Sequence, residues 1–179
     1  MKKLLLLTSV LAWISGVSAE EKPKLIVGVV ISHFYPEWMD MYGNELSENG
    51  LKRVMKQGTR VNVNYNYFYT QTGVDHASIY TGMLPTEHGI VSRAWYDRLR
   101  RKRQYSTQSD RYTEIGDQQA DSIKSLSPDY LQTMSLGSAM KWNNPMSRVF
   151  SVAMNGDEAV LSGGSSADMA IWFSEKTGK

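Results

Sequence analysis

The stretch that decides the fold runs from Thr70 to Gly89 and reads TQTGVDHASIYTGMLPTEHG. A tyrosine-rich segment leads into it, and residues 72–81 carry apolar side chains at mixed helical spacing. This pattern predicts a strand that ends at Gln71 and a short helix that begins near Thr72. A hydroxyl at such a junction lies over free backbone N–H groups and the positive end of the helix, which stabilise an anion or a forming oxyanion. Thr72 therefore suits an anion site, although from spacing alone its commoner role is an N-cap.

Two strands and two helices are predicted before this stretch. Lys24–Ser32 (KLIVGVVIS) is a continuous β-branched run, which is typical of a strand buried on both faces of a parallel sheet. Val61–Thr70 alternates, with valines and tyrosines on one face, and predicts a strand with one less buried face. Between them, Pro36–Tyr42 and Leu51–Gln57 predict short helices, and Gly58 is placed to cap the second one.

A hairpin with a basic turn is predicted after the stretch. Ala94–Asp97 and Gln104–Thr107 have the pattern of its two arms, and Arg98–Arg103 (RLRRKR) lies between them. A basic run can bind phosphate or lipid, but at a hairpin tip a solvated turn is the simpler interpretation.

The remainder of the chain continues the alternation of helices and strands. Residues 107–126 are polar and predict a surface loop, and Ser127-Pro128-Asp129 predicts a helix that runs to about Trp142. Then follow a strand at Ser147–Met154, a turn or helix at Gly156–Leu161 and a strand at Ala170–Phe173. The alternation predicts an α/β domain with a mainly parallel sheet flanked by helices. Because no returning strand follows residues 174–179, we expect this domain to be incomplete.

The first 19 residues predict a secretory signal peptide. Lys2 and Lys3 precede the apolar run Leu4–Trp13, and Val17–Ala19 forms a small-residue cleavage site. The apolar run is shorter than the roughly 20 residues of a membrane-spanning helix. We therefore expect an exported protein, periplasmic or secreted, without an integral membrane segment after cleavage, and with residues 20–179 as the N-terminal part of the α/β domain.

Charge and cysteine content exclude several classes of function. Removing residues 1–19 takes away two of the 20 basic side chains, so that 18 basic and 18 acidic ones balance in 160 residues. A neutral mature chain gives no indication of nucleic-acid binding. The absence of cysteine excludes disulfides, thiolate metal sites and a cysteine nucleophile.

Several motifs, in order along the chain, carry a family resemblance. They are KPKLIVGVVIS (22–32), LKRVMKQG (51–58), TGVDHASIYTGMLPTEHGI (72–90), AWYD (94–97), SPDYLQT (127–133) and AIWFSEKTGK (170–179). Together they resemble the alkaline phosphatase superfamily, in its type I phosphodiesterase/nucleotide pyrophosphatase branch, and most closely the exported zinc-dependent alkaline phosphatases of Bacteroidetes. The resemblance covers nearly all of residues 22–179, which correspond to about the first third of such an enzyme.

The resemblance implies a site and a reaction. It places Thr72 at the family's nucleophile, which attacks phosphorus in a small phosphate ester and also contacts one of two zinc ions. Such a metal pair, about 4 Å apart, stabilises the entering and leaving oxygens. Arg93 aligns with a family asparagine that contacts phosphoryl oxygens, and an arginine can still hold phosphate through two hydrogen bonds.

Other aligned positions depart from the family pattern. The aspartate that binds zinc at the end of the first strand aligns with Ser32, a poor zinc ligand; the neighbouring His33 would point to the opposite face of that strand. A Lys-x-Arg pair that grips the phosphoryl group aligns with Asn155 and Asp157, which changes the local charge by about three units where electrostatic stabilisation dominates catalysis.

The histidines of the central stretch have supporting roles by the same comparison. His76 and His88 match the family pattern and are predicted to pack rather than to bind metal. Asp75 stands at a family glycine and adds negative charge near the phosphate position. The sequence thus predicts a family hydrolase with impaired catalysis; the alternatives are a non-catalytic binding or structural protein of the cell envelope and a gene fragment.

Overall fold

A computed structural model of the chain describes residues 23–112, 115 and 125–173. The predicted signal peptide and residues 174–179 lie outside the described residues, as does most of the segment 113–124. The chain divides into two units, Met1–Asn62 and Val63–Lys179. None of the helices in the described ranges has the length and hydropathy needed to cross a bilayer.

The first unit contains the two predicted helices. Helix α1 spans Glu37–Tyr42 and helix α2 spans Leu51–Gln57. Gly58 ends α2 in an extended conformation, and its N–H donates to the carbonyl of Val54. Glu48 precedes α2, and its carboxylate lies 2.8 Å from the ammonium group of Lys56 and 2.9 Å from that of Lys52, both within the helix. The hydrogen bonds from Lys56 and Lys52 lower the pKa of Glu48 to about 2.

The prediction of two strands before the central stretch is wrong. Lys24–Ser32 and Val61–Thr70 form no strand, and most of their apolar side chains are exposed. A strand needs a neighbour that pairs its N–H and C=O groups, and no described segment forms a ladder with either run. His33, predicted to continue the first strand, lies in a turn with a φ of 56°.

The second unit begins with the helix predicted from the central stretch. Helix α3 spans Thr72–Thr81 and ends at Gly82, whose φ of 70° is the left-handed conformation that glycine adopts without a steric penalty. The short helix α4, Pro85–His88, follows and ends in the same way at Gly89, with a φ of 82°.

The predicted hairpin is present with a shorter loop. Strands β1, Ala94–Asp97, and β2, Lys102–Tyr105, are antiparallel, with Tyr96 opposite Arg103. The second arm begins two residues earlier than predicted, because the carboxylate of Asp97 accepts the N–H groups of Leu99 and Arg100 and closes a four-residue turn.

The prediction of an exposed surface loop at residues 107–126 is wrong for the described residues at its two ends. Thr107, Ser109 and Ser125 are buried, and residues 108 and 126 form an isolated antiparallel bridge. The Ser109 N–H donates to the Ser125 carbonyl (3.1 Å), and the Ser127 N–H donates to the Thr107 carbonyl (2.7 Å). Because such hydrogen bonds satisfy the backbone, this polar sequence can be buried.

The helix predicted from Ser127 begins eight residues late, since α5 spans Leu136–Asn143. The Gln132 N–H donates to the carbonyl of His88 (3.0 Å) and not to a carbonyl four residues earlier, so residues 127–135 pack as a loop. Ser135 caps α5 by accepting the N–H of Ser138 at 3.2 Å.

A parallel β–α–β unit completes the second unit. Strands β3, Phe150–Ala153, and β4, Met169–Trp172, are parallel, and helix α6, Gly156–Gly163, connects them. The predicted strands and helix are thus confirmed with slightly different ends. A buried core of Val74, Ala77, Ile90 and Leu161 joins α3 to α6.

Candidate functional site

Thr72 lies at the start of α3 as its first helical residue. Gln71 occupies the N-cap position, so the predicted start of the helix at Thr72 is confirmed, and the alternative that Thr72 serves only as an N-cap does not hold. The Thr72 side chain is exposed. Its hydroxyl is therefore accessible at the end of the helix that carries a partial positive charge of about half a unit.

Gln71 connects the start of α3 to the loop that carries Arg93. Its Oε1 accepts the backbone N–H of Arg93 at 2.7 Å and the hydroxyl of Ser92 at 3.3 Å. Its Nε2 donates to the hydroxyl of Tyr69 at 2.8 Å. This connecting role of Gln71 was not predicted, because a long amide side chain directly before a helix is a weak signal.

Helix α6 packs directly on the first turn of α3. A Cβ added to Gly73 would lie 3.3 Å from Cδ1 of Leu161 and 3.9 Å from Cβ of Asp157. Glycine therefore allows close contact between the two helices, and this contact brings Asp157, in the first turn of α6, beside the turn that begins with Thr72.

Asp157 pairs with the residue predicted to bind the phosphoryl group. Nε of Arg93 lies 3.4 Å from Oδ2 of Asp157, and the hydroxyl of Thr107 donates to Oδ1 of the same carboxylate. The carboxylate is mostly buried, whereas the arginine is mostly exposed. The structure therefore brings Arg93 and Asp157 together and engages the guanidinium with an anion of the same chain.

A second carboxylate lies in the first turn of α3. Asp75 accepts a hydrogen bond from the hydroxyl of Tyr67 at 2.9 Å. Burial, followed by smaller contributions that include Asp75, raises the pKa of Tyr67 above its ordinary value, so the phenol stays protonated. Two carboxylates, Asp75 and Asp157, thus lie near the start of α3, and the one cation there, Arg93, is paired with Asp157. This excess of negative charge disfavours an anionic ligand.

The two histidines of the central stretch have protein partners. Nδ1 of His76 lies 2.7 Å from the hydroxyl of Ser162, and its ring stacks near Tyr80. Nε2 of His88 lies 2.9 Å from the hydroxyl of Ser78. Burial lowers the pKa of both imidazoles below 6.5. These contacts agree with the predicted packing roles.

The tautomer of His88 follows from its neighbours. Its Nδ1 accepts the backbone N–H of Ile90 at 3.1 Å. The proton of the neutral ring is therefore on Nε2, which donates to Ser78. With both nitrogens engaged, His88 has no free electron pair for a metal.

The described residues do not fit a zinc pair. No group of three histidine, cysteine, aspartate or glutamate side chains that could hold a metal occurs among residues 23–112, 115 and 125–173. Ser32, which the resemblance predicts to take the position of a zinc-binding aspartate, is exposed and has no carboxylate. Asn155, which the resemblance predicts to replace a cation, donates its amide N–H to the carboxylate of Glu158 at 2.8 Å. Zinc thus remains an implication of the resemblance alone.

Comparison with known proteins identifies the family. The model of the type I phosphodiesterase / nucleotide pyrophosphatase family matches residues 26–177. The chain is 32% identical over 167 residues to alkaline phosphatase PafA of Elizabethkingia meningoseptica, covering 90% of this chain and 30% of that protein. It is 31% identical over 156 residues to alkaline phosphatase PhoK of Sphingomonas, covering 87% and 28%.

Solved structures agree with the sequence comparison. A crystal structure of a PafA mutant with four substitutions matches with a TM-score of 0.82 and 30% identity, over 90% of this chain and 32% of the PafA chain. Wild-type PafA matches with a TM-score of 0.80. The chain thus spans about 30% of the length of these relatives. The predicted alkaline-phosphatase-like fold is confirmed as a part of that fold, and the chain belongs to the type I phosphodiesterase/nucleotide pyrophosphatase family of phosphoester hydrolases.

Proposed function

We propose that this chain is an exported member of the family in which phosphate-ester hydrolysis through Thr72 is impaired. The observation that carries the proposal is the ion pair between Arg93 and Asp157 beside the first turn of α3. A phosphate ester brings up to two negative charges to this place. It would have to displace Asp157 from Arg93 or approach two carboxylates, and both alternatives weaken its binding.

The expected loss in catalysis is large because charge stabilisation dominates phosphoryl transfer. Removing a single preorganised donor from such a site costs about 3–4 kcal/mol, or about 10²–10³ in rate. Here Asn155 and Asp157 stand where the resemblance implies two cations, and Ser32 stands where it implies a zinc-binding carboxylate. The Thr72 residue is exposed, but these three positions lack the charges and the metal-binding carboxylate that the resemblance implies for activating it.

Turnover is the direct measurement. Purified protein corresponding to residues 20–179, with Zn²⁺ added, is assayed against p-nitrophenyl phosphate and bis-p-nitrophenyl phosphate. We expect no hydrolysis above that of Thr72→Ala, which lacks the hydroxyl and serves as the matched control. Hydrolysis that Thr72→Ala abolishes would overturn the proposal.

Anion binding tests the ion pair separately. Titration calorimetry with tungstate, an analogue of phosphate, compares the wild-type chain with Asp157→Asn, which frees Arg93 while keeping the shape of the side chain. We expect no detectable binding by the wild type and measurable binding by the variant. Equal binding by both proteins would show that Asp157 does not exclude anions.

A further inference from the structure

The hairpin tip presents a basic surface that the proposed function does not use. We call residues Arg98–Arg103 the basic tip. The Asp97 carboxylate holds its turn by accepting the N–H groups of Leu99 (2.9 Å) and Arg100 (3.0 Å). Arg101 adopts the left-handed conformation, with a φ of 51°, in which side chains other than glycine are uncommon. The tip is thus a defined turn on a two-stranded support.

Most of the positive charge of the basic tip is uncompensated. It carries five cations, and all of them are exposed. Nε of Arg100 lies 3.7 Å from the carboxylate of Asp97. The other four, Arg98, Arg101, Lys102 and Arg103, form no ion pair with a carboxylate in the described part of the chain; the guanidinium of Arg103 lies over the ring of Tyr105, 5.1 Å from its centroid.

An apolar residue, Leu99, lies between Arg98 and Arg100 in the turn. Leu99 is 97% exposed, and Tyr96, opposite Arg103 on the supporting strand, is 63% exposed. Exposed cations before and after an exposed apolar residue, with an exposed tyrosine on the supporting strand, match the interface of a bilayer, where headgroups, acyl chains and amphipathic rings meet.

We propose that the basic tip binds an anionic phospholipid surface, with its cations at the headgroup phosphates and Leu99 inserted toward the acyl chains. A nucleic acid is the less suitable polyanion. It would use the cations but leave Leu99 exposed, and single strands are held by aromatic stacking, whereas the tip itself contains no aromatic residue. The inference is independent of any activity of Thr72.

Vesicle sedimentation tests the proposal with the chain corresponding to residues 20–179. Vesicles contain either phosphatidylcholine alone or phosphatidylcholine with 30 mol% phosphatidylglycerol, at about 0.05 and 0.15 M salt, a range over which the screening length decreases to about 8 Å. We expect binding to the anionic vesicles, weaker binding at the higher salt concentration, and little binding to neutral vesicles.

Three variants separate the contributions of charge and insertion. Arg98→Gln with Arg101→Gln should weaken binding about 30-fold, since each cation near an anionic surface contributes about fivefold. Leu99→Asn keeps the charge and should weaken binding about tenfold, because one buried leucine side chain is lost. Arg53→Gln with Arg60→Gln removes the same charge from exposed positions of the first unit and should leave binding within about twofold.

Any of the following four outcomes would overturn the proposal. Equal loss in the Arg53/Arg60 control would show that only net charge matters. An unchanged Leu99→Asn would exclude insertion, and tighter binding of duplex DNA than of anionic vesicles would identify a polyanion site instead. Absence of binding to anionic vesicles by the wild type would refute lipid binding. Circular dichroism verifies that each variant folds like the wild type.

Discussion

Arg93 and Asp157, which the sequence resemblance predicts to depart from the family pattern, compensate each other in charge. Each alone would place an unpaired charge beside the start of α3. Together they form an ion pair that Thr107 completes by donating to the carboxylate. A substitution at one position therefore makes the other tolerable, and two changes that seem unrelated in the sequence act as one change in the site.

The buried histidines make stability depend on pH. Burial lowers the pKa of His76 and His88 below 6.5 in the folded chain, whereas the unfolded chain takes up protons near pH 6.5. The unfolded state then binds more protons, so stability rises with pH. We expect the free energy of unfolding to be highest above pH 6.5 and to decrease as the pH falls toward the folded pKa values.

Denaturant unfolding at pH 7.5, 6.5 and 5.5 measures this dependence. In His88→Gln the amide can replace the donor to Ser78 but cannot be protonated, so the slope with pH should be smaller than in the wild type. A stability that stays constant between pH 7.5 and 5.5 would contradict the assignment.

At the scale of elements, the cap of α5 makes a specific contribution to stability. The hydroxyl of Ser135 accepts the N–H of Ser138 at 3.2 Å and lies 3.3 Å from the carbonyl of Gly163. Both serines are buried. Ser135→Ala should therefore reduce the free energy of unfolding by about 1–2 kcal/mol, through loss of the cap and an unsatisfied N–H group.

Denaturant unfolding monitored by circular dichroism measures this effect. Ser165→Ala is the matched control, since Ser165 is exposed in the loop after α6 and should change stability by less than about 0.5 kcal/mol. Equal effects of the two substitutions would show that the cap does not stabilise α5.

Elements with local signals could be predicted from the sequence. Helices α2 and α3 have apolar spacing and terminal glycines within one segment, and both occur at the predicted residues. The strands at Lys24–Ser32 and Val61–Thr70 were wrong because strand formation depends on a partner segment, which composition does not specify. The late start of α5 also depends on a distant segment, because the Gln132 N–H donates to the carbonyl of His88.

The same distinction applies to the candidate site. The position of Thr72 at the start of a helix follows from adjacent residues. The partner of Gln71 lies 22 residues away, and Arg93 and Asp157 meet only because α6 packs on Gly73. Side-chain pairs between segments depend on tertiary packing, so the ion pair could not be predicted from the motifs.

At the scale of the whole molecule, the β3–β4 pair leaves one apolar face uncovered. Side chains on its other face contact α6, for example the Ser151 hydroxyl that donates to the Ala159 carbonyl. The exposed side chains of the uncovered face are Phe150, Val152, Met154, Met169, Ile171 and Phe173. Parallel sheets are normally covered on both faces, and the outer edges of this pair have no partner strand among the described segments.

We therefore expect the isolated chain to self-associate as its concentration rises. Val152→Lys with Ile171→Lys places two charges on register partners of this face and should reduce association. Light scattering across a concentration series measures it, with Met146→Lys, an exposed position outside the strands, as the control. A monomer that unfolds in one sharp cooperative transition would contradict this expectation.

The bond from Gln71 to the Arg93 loop has one more consequence. A carboxamide neither gains nor loses a proton in water at ordinary pH, and its oxygen here accepts from two neighbours at once. The neutral carboxamide of Gln71 thus holds the backbone of Arg93 near the start of α3. The charge at this place comes instead from the side chains of Arg93 and Asp157. The charges of the Arg93 and Asp157 side chains could therefore be reversed by substitution while the hydrogen bonds of Gln71 are kept.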